Sequence, residues 1–255
     1  MRINHNITAL NNHRNMTLNN TALAKNMEKL SSGLRINRAA DDAAGLAVSE
    51  KMRGQIRGLE QAQRNVQDGI SFVQTAEGAM NEISAMLVRM KELNVQKLNG
   101  TYSSSDKANI DEELNALGSQ IKQILQNTKF NGMAITSGAS IASDDSGTII
   151  SIGSINTSDF INLDKDSALS DINTAIEAVA TERAKLGALQ NRLEYTSNNL
   201  GTTIENLSAS ESRIRDTDMA KEMVELAKNQ ILLQSSQAML AQANAAPQGV
   251  LTLLR

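Results

Sequence analysis

The sequence contains no cysteine, no tryptophan and a single proline, Pro247, among its 255 residues. Without cysteine there is no thiol nucleophile, zinc–thiolate site or disulfide framework. Histidine is scarce: His5 and His13 both sit in an Asn-rich N-terminal run. A Ser-His-Asp triad or a two-His metal site would have to be built from these alone. They read instead as solvated polar side chains on a helix. The aromatics are Tyr102, Tyr195, Phe72, Phe130 and Phe160, too few for a thick round core that leans on aromatic burial. No run approaches the ~18 apolar residues of a membrane span. Residues 1–7 lack the apolar core of a signal peptide, so the expectation is a cytosolic chain or one exported by a route that ignores such a signal. A net charge of -3 with no basic block disfavours nucleic acid as a partner.

What is present favours helix. Average proline usage would give roughly a dozen in a chain of this length. Its near-absence leaves long helices unbroken, since an interior proline costs about 3 kcal/mol. Residues 1–129 read as helix with short breaks. From Phe130 to Leu163 the character changes. No Lys or Arg occurs between Lys129 and Lys165, and Gly132, Gly138, Gly147 and Gly153 lie among Ser, Thr, Ile and Asp. Thr148–Ile152 is β-branched with partial alternation, which predicts one hairpin or two. From about Ser167 to Ala246 helix returns.

The helical parts carry seven-residue repeats. Met52, Leu59, Val66, Val73, Met80 and Leu87 form one series, and Ile172, Val179, Leu186, Leu193, Leu200, Leu207 and Ile214 another. Such a stripe keeps one face only if the helices supercoil about a partner. The positions four residues further on are mixed: Ile56, Ile70, Ile176 and Ile204 are apolar, but Gln63, Glu77, Arg183, Gln190, Ser197 and Glu211 are not. The expected seam is narrow and partly polar. Ile110, Leu114, Leu117, Ile121 and Ile124 supply a third helix. After Ile214 the repeat slips, because the next series begins at Met219 and continues through Leu226, Leu233 and Leu240. A separate N-terminal series, Met16, Leu23 and Leu30, is followed by a break at Ser31–Asn37. The simplest geometry folds the chain back on itself, pairing residues 1–35 with 218–255 and 45–130 with 168–214. The expected fold is mainly α: a long rod-like antiparallel helical bundle or coiled coil, with a small β-hairpin insert and the N- and C-termini paired at one end. A thin tip of two Asn- and Gln-rich helices buries too little surface to stand alone. Its segments are expected to be disordered in the monomer and to order when chains assemble.

Specific motifs carry a family resemblance. Leu30–Asn37 (Leu-Ser-Ser-Gly-Leu-Arg-Ile-Asn), Ala40–Ala47, Arg64-Asn65, Asp68–Ser71, Gln74–Ala79 and Phe130-Asn131-Gly132 resemble the N-terminal signature of bacterial flagellins. Ser210–Glu222 and Gln242–Arg255 resemble the C-terminal one, with Ala245 and Gly249 standing where Gln is usual. The resemblance spans roughly the whole chain in order. It implies a structural subunit, not an enzyme and without cofactor, that polymerises into the extracellular flagellar filament. It implies unfolded passage through a type III export apparatus with an export chaperone, and contact with hook-associated and cap proteins. Neither nucleic acid nor membrane is an expected partner. The implied domains are 1–44 and 215–255 for an inner tube and its connecting spoke, 45–130 and 168–214 for an outer tube, and 131–167 for a short insert.

On this reading the polymerisation interface comprises Ile3, Ile7, Leu10, Met16, Leu23, Met27 and Leu30 against Met219, Met223, Leu226, Leu233, Leu240, Val250, Leu251, Leu253 and Leu254. Some of these also serve as ordinary intramolecular core. The family is recognised by Toll-like receptor 5 through a strip matching Val88–Gln96, which carries over Arg89 and Leu93, with Glu113 on the next helix. The primary role expected of that strip is a contact between neighbouring subunits. Asp41 and Asp42, near Arg35 and Arg38, are a carboxylate pair of the kind used for acid–base chemistry or metal binding, but read better as helix-start charges and ion pairs that set a bend. The alternatives are a hook-filament junction protein with similar ends, a flagellin bearing a protease insert, and a coiled-coil module that forms no polymer. The absence of His after His13 and the short insert oppose the second, and matched register slips at both ends oppose the third.

Overall fold

The computed structural model describes the backbone of residues 5–253 and the side chains of residues 5–246. The helices are α1 (Ile7–Ser32), α2 (Ala43–Lys97), α3 (Ser104–Asn127), α4 (Leu169–Arg215) and α5 (Met219–Leu253). Between α3 and α4 lie β1 (Lys129–Phe130), β2 (Met133–Ala134), β3 (Ala139–Ala142) and β4 (Ile149–Ile152). The helix ends are set by side chains that satisfy otherwise orphaned amides. Asn6 accepts from the Ala9 amide at 3.1 Å, and Asp42 accepts from Gly45 at 2.9 Å. Ser103 and Asp106 form a reciprocal capping box at the start of α3. Asp218 accepts from Ala220 and Lys221 at 3.0 and 3.2 Å. α1 stops at Gly33, whose φ of 70° is open to glycine without a Cβ penalty and whose N–H returns to the Lys29 carbonyl.

The chain forms two compact units, one of Gln55–Asn206 and one of the residues up to Gly54 with those from Leu207 onward. In the Gln55–Asn206 unit, the α2 residues Leu59, Val66, Val73, Met80 and Leu87 are buried. A second buried series lies three residues on, not four: Ala62, Gly69, Ala76, Ile83 and Met90. On α2 these positions are therefore apolar or glycine, with Gln63 and Glu77 half-buried at the margin, whereas on α4 Glu182 is buried beside Val179 and Leu186, so the expected polar content lies there. Both spacings share a helix face. The small residues at the three-residue step give neighbouring elements their close approach: the Ile141 side chain packs directly onto Gly69. α4 contributes Ile172, Val179, Leu186, Leu193 and Leu200 to the core. α3 contributes Ile110, Leu114, Gly118, Ile121 and Leu125, while Leu117 and Ile124 are half-buried. Ion pairs rim this bundle: Glu77 with Arg183 at 2.7 Å, and Lys97 with Asp111 at 2.6 Å.

The insert makes two antiparallel hairpins, β1–β2 and β3–β4. The first turns on Asn131-Gly132 with φ of 48° and 80°, the residue pair favoured by tight hairpin turns with positive φ. Phe130 meets Phe72 edge-on, with centroids 6.0 Å apart. The irregular segment that follows is anchored by the fully buried Phe160. Its backbone is held by Asn94 on the Ser167 carbonyl and by Lys97 on the Lys165 carbonyl, each at 3.0 Å.

Candidate assembly interface

In the unit that joins the two ends of the chain, α1 packs against α5, antiparallel in the order of its cross-helix hydrogen bonds. Asn6 reaches the Ala243 carbonyl at 2.7 Å, Asn12 the Met239 carbonyl at 3.4 Å, and Asn19 the Ser236 hydroxyl at 3.3 Å. Lys29 approaches Glu222 at 4.0 Å. Of the interface candidates, Met16, Leu23 and Leu30 on α1 and Leu226, Leu233 and Leu240 on α5 are half-buried. Ile7, Leu10, Met27, Met219 and Met223 are exposed. Ile3 and Leu254 lie outside the described residues, as do the side chains of Val250, Leu251 and Leu253.

Further apolar side chains that the seven-residue pattern passes over are also exposed: Leu18, Val224, Ile231, Leu232 and Met239. Val224 and Ile231 are 69% and 66% exposed and lie seven residues apart. They form a second stripe, two positions before Leu226 and Leu233 in the sequence. A search of α5 for more than one apolar series would have found it. Both helices thus present apolar side chains away from their mutual seam.

The two chain breaks in this unit are joined. Leu34 and Asp216 form an antiparallel bridge, with the Arg35 amide on the Arg215 carbonyl at 2.7 Å and the Thr217 amide on the Gly33 carbonyl at 3.0 Å. The register slip between Ile214 and Met219 is therefore a physical interruption between α4 and α5. The expected pairing of Arg35 and Arg38 with Asp41 and Asp42 does not form. Arg35 donates to the Ile214 carbonyl, Arg38 pairs with Glu28 at 2.9 Å, and Asp41 pairs with Lys25 at 3.3 Å. The reason is geometric: Asp41 turns back to accept the Arg38 backbone amide, and Asp42 is committed to its cap. That amide, more than Lys25, holds the Asp41 carboxyl below the ordinary aspartate value.

The strip at Val88–Gln96 lies on α2. Arg89 donates to Glu113 at 2.9 Å and to Glu92 at 3.2 Å, and all three side chains are substantially exposed. These two carboxylates raise the Arg89 pKa, Glu113 most. Leu93 is 2% exposed and belongs to the core. Arg89 and Glu113 are surface residues. His5 and His13 are both exposed. Among the described residues no cluster of His, Cys, Asp and Glu has the makings of a metal site, and no helix is long and apolar enough to cross a membrane.

A chain built this way, with long helices and terminal helices whose outward faces are apolar, has the construction of a structural subunit. The N-terminal helical region of bacterial flagellin matches residues 3–140, and the C-terminal helical region matches residues 169–254. The flagellin of Bacillus subtilis (strain 168) is 49% identical over an alignment of 306 residues that covers all of both chains. The flagellin of Halalkalibacterium halodurans is 50% identical, again over all of both chains. The flagellar filament 33 kDa core protein of Treponema phagedenis is 45% identical over the full length of each. The chain belongs to the bacterial flagellin family. It is a structural subunit of the flagellar filament, and these full-length relatives favour that role over a hook-filament junction protein.

Proposed function

We propose that α1 and α5 are the polymerisation element of this subunit, and that they order fully only against the same helices of neighbouring copies. One observation carries this reading: the α1–α5 pair leaves Leu10, Val224 and Ile231 about two-thirds exposed, while Asn occupies alternate levels of its own seam. Such a pair buries little apolar surface on its own. Packing those exposed side chains between subunits offsets the ordering entropy of the ends. Residues 1–44 and 215–255 are assigned to an inner tube, 45–130 and 168–214 to an outer tube, and 131–167 to a short insert on it. The chain leaves the cell through a type III export apparatus and with an export chaperone. It meets hook-associated and cap proteins at the ends of the filament. The exposed Arg89–Glu113 pair is the centre of a contact between subunits that Toll-like receptor 5 also recognises, Arg being well suited to an interface anchor.

The test is seeded elongation followed by electron microscopy. Full-length chain added to short filament fragments is expected to lengthen them, whereas a chain lacking residues 219–255 is expected to remain a soluble helical monomer. A full-length chain that stays monomeric on competent seeds overturns the reading.

A further inference from the structure

The seam between α1 and α5 holds a periodic polar ladder. Asn12, Asn19 and Asn26 recur every seven residues on α1, in step with the apolar Met16, Leu23 and Leu30. On α5 the matching positions are Glu222, Asn229, Ser236 and Ala243, in step with Leu226, Leu233 and Leu240. Asn26 is 9% exposed. With its amide turned as its neighbours require, it donates to Glu222 and to the Ala22 carbonyl at 3.0 and 3.1 Å, and accepts from the Asn229 amide at 3.0 Å. Asn19 donates to the Ser236 hydroxyl at 3.3 Å, and Asn12 to the Met239 carbonyl at 3.4 Å. Along α5 the facing group runs from carboxylate through amide and hydroxyl to methyl.

A polar side chain in a helix seam costs stability unless partnered, and so it selects the register that partners it. Sliding α5 by three or four residues sets the asparagines against Leu226, Leu233 and Leu240. A one-heptad slide that carries Asn26 to Ser236 sets Asn19 against Ala243 and strips Glu222 of its amide donor. A one-heptad slide in either direction also breaks the Leu34–Asp216 bridge that ties the ends of both helices.

We infer that Asn12, Asn19 and Asn26, read against Glu222, Asn229 and Ser236, are the specificity-determining residues of assembly: they fix the register in which the N-terminal helix accepts its own C-terminal helix as the chain joins a filament. This rests on the reading of α1 and α5 as the polymerisation element. The two fail differently, because unaltered chain that does not elongate seeds overturns that reading, whereas the ladder is tested only by differences among variants.

The experiment compares full-length variants in seeded elongation. Asn19→Leu and Ser236→Leu singly are each expected to slow elongation about tenfold, the size of an ordinary coupling between contacting residues. The matched double variant is expected to recover to within about threefold of the unaltered chain, since replacing both polar partners removes the mismatch. The mismatched double, Asn19→Leu with Asn229→Leu, is expected to stay as slow as the slower single. Asn162→Leu, which adds the same side chain at an exposed position outside α1 and α5, is expected to leave the rate unchanged. A second measurement does not depend on how well the leucine variants fold. Because the chain has no cysteine, Asn19→Cys/Ser236→Cys is expected to crosslink within the chain in oxidised filaments, and Asn19→Cys/Asn229→Cys is not. Matched and mismatched leucine doubles that elongate alike, an Asn162→Leu defect equal to that of Asn19→Leu, or equal crosslinking of both cysteine pairs would each overturn the inference.

Discussion

The guanidinium of Arg215 lies 2.6 Å from Glu50 Oε1, so the last residue of α4 is tied to the second turn of α2. Arg215 is the more buried partner, with 13% of its side chain exposed against 55% for Glu50. The same carboxylate oxygen takes Arg53 at 3.1 Å. The Arg215 hydrogen bond is the leading reason that Glu50 titrates below the ordinary glutamate value of 4.5. A group whose folded-state pKa is depressed stabilises the fold above its unfolded pKa and loses that contribution as pH falls through the folded-state value. The melting temperature of the unaltered chain should therefore drop more steeply than that of Glu50→Gln between about pH 5 and about pH 3. The difference between the two melting curves isolates this pair from Asp41 and Asp106, whose carboxyls are also held low. Parallel curves would show that the contact contributes nothing in solution.

Gly118 is buried on α3 with the Leu163 carbonyl oxygen against the place a Cβ would occupy. The obstacle is backbone of the segment that Phe160 anchors, so it cannot step aside as a flexible side chain would. Gly118→Ala should destabilise the chain by about 1–3 kcal/mol through overpacking, even though alanine is the better helix former by roughly 1 kcal/mol. Denaturant unfolding checks the sign. A stabilised variant would mean that the segment at Leu163 yields.

Gly33 has open space where its Cβ would stand, so a substitution there reports backbone strain alone. Its φ of 70° closes α1 ahead of the Leu34–Asp216 bridge. Gly33→Ala is expected to cost about 1–2 kcal/mol, the left-handed penalty for an L-residue. Gly33→Asn should cost less, because Asn tolerates that conformation. Equal losses for the two would point to a cause other than φ.

Helix, insert and the pairing of the ends were legible in the sequence because seven-residue spacing and near-absence of proline act locally. The break after Ile214 was legible as a five-residue step to Met219. Three features were not. The second buried series on α2 is made of Ala62, Gly69 and Ala76, whose small side chains carry little hydrophobic signal and matter only once Ile141 packs onto one of them. Leu93 was read as a surface contact by its position in a motif; it belongs to neither seven-residue series of α2, and only the folded chain shows its side chain in the core. The partners of Arg35, Arg38 and Asp41 depended on which backbone groups were left unsatisfied at the break between α1 and α2, and only the folded chain decides that.

The separation between core and assembly side chains allows the sharpest discrimination. Met80 and Ile83 are fully buried in the Gln55–Asn206 unit. Ile83→Ala should cost about 2–5 kcal/mol in unfolding free energy by cavity formation. Val224 and Ile231 sit on α5 with most of their surface in solvent, so Val224→Ser and Ile231→Ser should leave monomer unfolding within about 0.5 kcal/mol of the unaltered chain. If those side chains are buried between subunits, the same two substitutions should raise the concentration of monomer left in equilibrium with filaments. Each replaces a side chain whose full burial contributes roughly 1.5–3 kcal/mol, which corresponds to a rise of about tenfold or more in that concentration. Sedimentation of filaments from monomer at equilibrium measures it. If Ile83→Ala and Ile231→Ser shifted both quantities together, stability and assembly would not be separable in this chain, and the exposed stripe on α5 would belong to the fold and not to the polymer.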